Sequence, residues 1–136
     1  MWSKEKPCFG DHIRVCRGYY YHHGIYVADD CVIHFASKNS VDRINPEEAK
    51  IIISSLAEFL KNGLVEVRKY SEKEKESKRT PSEIVNYAFM QVDQRLGSYN
   101  LVTNNCEHFA NECVFGVAVS NQVDDVISML FGGIKR

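Results

Sequence analysis

The sequence predicts an α+β fold, and three observations carry the prediction. The first third holds short runs rich in Val, Ile, Tyr and Phe, punctuated by Gly and Asp. Further along, helix-start signals precede apolar residues at helical spacing. Between two of the early runs, Asp29-Asp30 reads as a tight turn, which makes them an antiparallel hairpin.

The early strands are predicted at 12–17, 24–28 and 31–36, the first introduced by Gly10-Asp11 and closed by Arg17-Gly18. Two more follow at 50–53 and at 64–69, where Leu and Val alternate with Glu and Arg. Ser55, with Glu58 three residues on, signals a short helix ending at Gly63. Thr80-Pro81-Ser82-Glu83 is a stronger start: a cap, a proline at the first helical position and a glutamate three after the cap. From it Ile84, Val85, Ala88, Phe89, Val92 and Leu96 keep one face until Gly97. The segment 71–79, almost all Glu, Lys, Ser and Arg, reads as a solvated loop. A helix from about Asn105 to Val114 is capped by Asn104 or Asn105 and stopped near Gly116. Ser120 caps a last helix with Val123, Val126, Ile127, Leu130 and Phe131 on its core face.

The 136 residues fit one domain, 1–136, able to bury a core without staples. A net charge of −1 with Lys and Arg scattered along the chain gives no basis for nucleic-acid binding. The five cysteines are odd in number and form no CxxC pair, and no signal peptide precedes them. A reducing, cytoplasmic setting is therefore expected, with contact at a membrane surface still open. The longest nearly uncharged late stretch, 126–134, is about half of the roughly 20 residues that a spanning helix needs.

Asn104-Asn105-Cys106-Glu107-His108-Phe109 carries the chemistry. A thiol at a helix start faces unpaired N–H groups and the positive end of the dipole, which favour thiolate. Core cysteines rarely open a helix in such polar company. Cys113, seven residues on, suits an inert buried thiol, and Cys8, Cys16 and Cys31 have no polar support. A nucleophilic cysteine needs a base, and the base needs an orienting group. His22, His23 and His34 lie on the hairpin strands. With Asp29-Asp30 at the tip, residues whose numbers sum to about 59 face each other, so His34 comes opposite positions near 23 to 25. His22 and His34 are an even number apart, and a bulge or longer turn is needed to put them on one face. A zinc site is the rival, with Cys106-x-His108 its nearest approach to paired ligands.

These residues resemble the lecithin:retinol acyltransferase family, within the NlpC/P60 superfamily of papain-like cysteine enzymes. The likeness rests on His22-His23-Gly24-Ile25-Tyr26-Val27, the step to His34, and Asn105-Cys106-Glu107-His108-Phe109. Gly10-Asp11-His12-Ile13, Tyr99-Asn100-Leu101, Gly116-Val117 and Ser120-x-Gln122-Val123 extend it. It implies a papain-like core, an antiparallel sheet of four to six strands with helices on one side, and the family's circularly permuted order His…His…Cys. Cys106 becomes the nucleophile, His22 the base and His34 its orienting partner. His23 falls where relatives usually carry an aromatic residue, and Glu107 and His108 become scaffold. The implied reaction is two-step acyl transfer through a thioester on Cys106, with N–H groups at the helix start binding the oxyanion. Surface or packing roles are expected for Tyr20 and Tyr21, with a hydroxyl for the oxyanion as the alternative.

A phospholipid-like acyl donor and an acyl acceptor are the implied partners, and no cofactor or metal is expected. Animal members carry a hydrophobic anchor after the domain, whereas this sequence closes on Gly132-Gly133-Ile134-Lys135-Arg136, as expected of a soluble relative or of a truncated chain. Amide or peptide hydrolysis, and a non-catalytic binding module that keeps the fold, are the alternatives.

Overall fold

The computed structural model describes residues 1–18, 20–37, 45–100 and 105–116. In chain order these form β1 (Trp2–Ser3), β2 (His12–Cys16), β3 (Tyr21–Ala28), β4 (Cys31–Ala36), β5 (Lys50–Ser54), α1 (Leu56–Leu60), β6 (Glu66–Arg68), α2 (Glu72–Ser77), α3 (Pro81–Met90) and α4 (Cys106–Phe115). The helix expected after Ser120, with Leu101 and Val117 of the resemblance, lies outside the described residues. The strands make one six-stranded antiparallel sheet in the order β1-β6-β2-β3-β4-β5.

Helices cover both faces of this sheet, not the one face expected. On one side α1 presses Phe59 into a core of Ile13, Val15, Tyr26, Val32 and Val67. On the other, α3 and α4 pack through Ile84, Ala88, Phe109 and Cys113 on Ile25, Ile33, Phe35 and Ile51. The signal was present in β4, where Cys31-Val32-Ile33-His34-Phe35-Ala36 runs without alternation and is buried on both sides. At five residues α1 is too short to stand alone. Burial of Phe59 supplies roughly 2–3 kcal/mol. The Ser55–Glu58 capping box adds about 1 kcal/mol, and Arg17 donates to the closing carbonyls of Phe59 and Leu60. Lys61 and Asn62 both take left-handed backbone, which stops the helix before Gly63.

Two other expectations need correction. The segment 71–79 is not all loop: Ser71 and Glu74 form a capping box that starts α2, an exposed helix with no buried residue. It breaks the usual link between helix and apolar stripe, so its charge hid it. The Thr80 helix ends at Met90, well before Gly97, and leaves Phe89 43% and Leu96 67% exposed. The chain is drawn out of the helix by β5: Asp93 N–H donates to the Ile51 carbonyl at 2.8 Å and Ile51 N–H to the Gln94 carbonyl at 3.0 Å. These bonds also close the outer edge of β5.

Candidate active site

Cys106 is the first residue of α4, and its cap explains how it is held there. Asn105 has extended backbone (φ −130°, ψ −176°), and its side-chain oxygen accepts the His108 N–H at 3.0 Å. Asn105 N–H donates in return to His108 Nδ1 at 3.2 Å. His108 thus takes the reciprocal place of Glu or Gln in a capping box. It is scaffold for the helix start, as the resemblance implied. Gly116, at φ 81°, closes α4 in the left-handed conformation that suits glycine.

The thiol lies against β3. Cys106 S–H donates to the Tyr21 carbonyl over 3.9 Å, and the Tyr99 hydroxyl donates to Sγ over 3.9 Å. The main-chain N–H of His23 also reaches the sulfur. Tyr21 and His23 flank His22, so the sulfur meets the strand at that level. With 3% of its surface exposed, Cys106 is deeply desolvated, and burial pushes its thiol up to about 11 despite the N–H groups and the Tyr99 hydroxyl. The N–H groups at the helix start do pull the thiol toward thiolate, as expected, and desolvation outweighs them, so the net shift is upward.

His22 and His34 meet on the α1 side of the sheet. His22 Nε2 and His34 Nδ1 are 2.8 Å apart, and His34 Nε2 lies 2.9 Å from Ser54 Oγ. A bulge between Tyr26 and Ala28 supplies the register shift that an even spacing requires. Both rings pack on Phe59, with centroids 5.1 and 5.2 Å away. Gly24 makes room for this: a Cβ there would lie 2.8 Å from Phe59 Cε1 and 3.2 Å from His34 Cβ. Burial, with the neighbouring His34 and Arg17, holds His22 well below the ordinary imidazole range. Burial and Arg17 take His34 down to about 3. His22 Nδ1 is buried with no hydrogen-bond partner among the described residues. The structure thus joins His22 to His34 and sets the Cys106 sulfur at the main chain around His22, with no hydrogen bond from the thiol to either ring.

A second histidine pair occupies the opposite face of β3. His12 Nε2 and His23 Nδ1 are 2.8 Å apart, and His23 Nε2 lies 4.0 Å from the Glu107 carboxylate on α4. The Trp2 ring stands edge-on to both, at 5.1 and 5.5 Å. His23 thus keeps an aromatic place in the packing, beside the Glu107 carboxylate of α4. Sequence reasoning passed over His12, Tyr99 and Ser54 as functional groups. The alternation of His12 with Arg14 along β2 was the available signal for the first. Nothing local marks the other two.

A buried cysteine opening a helix, set on a six-stranded antiparallel sheet with a buried histidine pair, defines an α+β arrangement consistent with a papain-like fold. The profile of the lecithin retinol acyltransferase family matches residues 5–119, and the chain belongs to that family. Phospholipase A and acyltransferase 3 from Homo sapiens is 36% identical over 129 residues, covering 90% of this chain and 79% of the relative. Phospholipase A and acyltransferase 2 from Homo sapiens is 32% identical over 134 residues, 93% of this chain and 82% of the relative. Phospholipase A and acyltransferase 5 from Rattus norvegicus is 30% identical over 130 residues, 92% of this chain and 45% of that longer protein.

Proposed function

We propose that this chain is a thiol acyltransferase and phospholipase-type hydrolase, a single domain in which Cys106 is the nucleophile, His22 the base and His34 the orienting group. That it is a lipid-acting enzyme of the acyltransferase and hydrolase type follows from its family. One observation carries the assignment of roles. His22 has one ring nitrogen bonded to His34 and the other buried without a partner among the described residues, at the strand position whose flanking main-chain groups contact the Cys106 sulfur.

The reaction runs from a neutral pair. The Cys106 thiol gives its proton to His22 Nδ1 as sulfur attacks the ester carbonyl carbon. N–H groups in the first turn of α4 receive the oxyanion. Collapse breaks the ester C–O bond, and the leaving oxygen takes the proton from His22, leaving a thioester. Water, an amine or an alcohol then gives its proton to His22 and attacks the thioester, and the departing sulfur takes that proton back from His22, restoring the neutral pair. Water makes the enzyme a hydrolase, the other acceptors a transferase. The relatives' names, phospholipase A and acyltransferase, contain both outcomes.

The papain-like layout, with the order His…His…Cys, supports placing the chain among the circularly permuted NlpC/P60 enzymes. Among the described residues no helix is long and apolar enough to cross a membrane. A phospholipid donor nonetheless brings the protein to a lipid surface at each turnover, so peripheral membrane contact belongs to this reading. The five cysteines, all free, suit a reducing cytoplasm.

The test is intact mass after incubation with phospholipid vesicles, a retinyl ester and an acylated peptide, for the wild type and Cys106→Ala. An acyl adduct from phospholipid, lost in the variant, is expected. An adduct from the peptide alone would move the activity to amide hydrolysis. No adduct from any donor, with Cys106 alkylated no faster than a free cysteine, would remove the catalytic reading.

A further inference from the structure

We propose that Ser54 is a positioning residue for the reaction: by accepting a hydrogen bond from His34 Nε2 it fixes the tautomers of both His34 and His22, so that the nitrogen of His22 left to act as base carries no hydrogen. The proposal rests on the reading of His22 as base.

Three groups lie in series, His22 to His34 to Ser54, with contacts of 2.8 and 2.9 Å. A neutral imidazole has one N–H and one lone pair. If Ser54 accepts, His34 carries its hydrogen on Nε2, its Nδ1 accepts from His22 Nε2–H, and His22 Nδ1 is a bare lone pair. If Ser54 donates, every step reverses and His22 Nδ1 carries a hydrogen it cannot use to take a proton from a thiol. The surroundings choose between the two. Among the described residues His22 Nδ1 is buried without a partner. A buried N–H with no acceptor is rarer and more costly than an acceptor with a spare lone pair. The accepting state of Ser54 is therefore favoured, and it is the state competent for catalysis.

Ser54 is held for this task from both sides. It closes β5, paired opposite Val32 in β4, and the next residue is the N-cap of α1. The Leu56 N–H donates to the Asp29 carbonyl at 2.8 Å, which ties the strand–helix junction to the β3–β4 turn. The charged groups that act on His34 are Arg17, Glu58 and Lys61. None of them makes a hydrogen bond to its ring, since Nδ1 and Nε2 are taken by His22 and Ser54.

The experiment combines ring nitrogen NMR of the histidines with single-turnover acylation of Cys106 by phosphatidylcholine vesicles, for the wild type, Ser54→Ala, Ser54→Thr and His22→Gln. The wild type should show His22 and His34 both protonated at Nε2. Ser54→Ala should lose the His34 preference and slow acylation about tenfold, the equivalent of one hydrogen bond, with KM little changed. Ser54→Thr, which keeps the hydroxyl on a strand-compatible side chain, should restore both. Wild-type His34 protonated at Nδ1 would overturn the proposal. So would Ser54→Ala with unchanged tautomers and rate while His22→Gln is slow, and that result leaves His22 as the base. His22→Gln at the wild-type rate would instead overturn the base assignment, and with it any catalytic role for Ser54.

Discussion

At the scale of single residues, Cys106 and His22 are both pushed toward their neutral forms. Burial raises the thiol to about 11 and, with His34 and Arg17, lowers the imidazole well below 6.5. A standing thiolate–imidazolium pair would place two charges where solvation is poorest. In the proposed mechanism the arrangement instead suits a proton that moves only as the nucleophile attacks, with His22 free to accept it over a wide pH span. The acid limb of activity should then lie below the ordinary histidine value, since His22 must be protonated before it fails as a base. Gly24 shows how closely the site is fitted. Its missing side chain is the space that lets Phe59 lie under both histidines.

At the scale of elements, the site depends on where α4 begins. Asn105 is buried, and its side chain satisfies a helix N–H that would otherwise be orphaned beside the thiol. Asn105→Ala should lower the free energy of unfolding by about 1–2 kcal/mol in urea titration, and slow acylation of Cys106 as the first turn frays. Ser71→Ala, at the cap of the exposed α2, should cost less and leave acylation unchanged. Much of this level was legible in the sequence because caps are local: Ser55, Thr80 and Asn105 each announce a helix within four residues. The hairpin around Asp29-Asp30 was equally legible, and the even spacing of His22 and His34 called for a bulge or a longer turn, which the bulge between Tyr26 and Ala28 supplies. What was hidden depends on distant partners. Trp2 and Ser3 make a strand only because β6 receives them, and α3 stops early only because β5 captures Asp93 and Gln94. His12 gains its meaning from His23, and Ser54 gains its own from His34.

At the scale of the whole molecule, four buried histidines line the two faces of the central strands. His12, His22, His23 and His34 all have imidazoles held below their ordinary value, chiefly by burial, with His23 and His34 at about 3. In the unfolded chain each returns to near 6.5. Above that pH all are neutral in both states and stability does not depend on them. As pH falls from 6.5 toward 3, the unfolded chain binds protons that the folded chain refuses. Each such histidine then costs about 1.4 kcal/mol per pH unit. A small domain has only about 5–15 kcal/mol to lose, so the urea midpoint should fall steadily from pH 6.5 and the fold should be lost before pH 4. A midpoint that stays level between pH 7 and 5 would mean the histidines are not buried as neutral groups.

The central claim, that His22 takes the proton of Cys106 as the thioester forms, is tested most directly by the pH dependence of Cys106 acylation. The measurement is the single-turnover rate with phosphatidylcholine vesicles, from pH 6 to pH 10, for the wild type and His22→Gln. A wild-type rate that is level across neutral pH is predicted. The variant should be slower by about 10²–10⁴ near neutrality and gain about tenfold per pH unit as thiolate accumulates toward the raised thiol value. A wild-type rate that climbs with pH in parallel with His22→Gln, with the same magnitude, would mean that Cys106 reacts as an unassisted thiol.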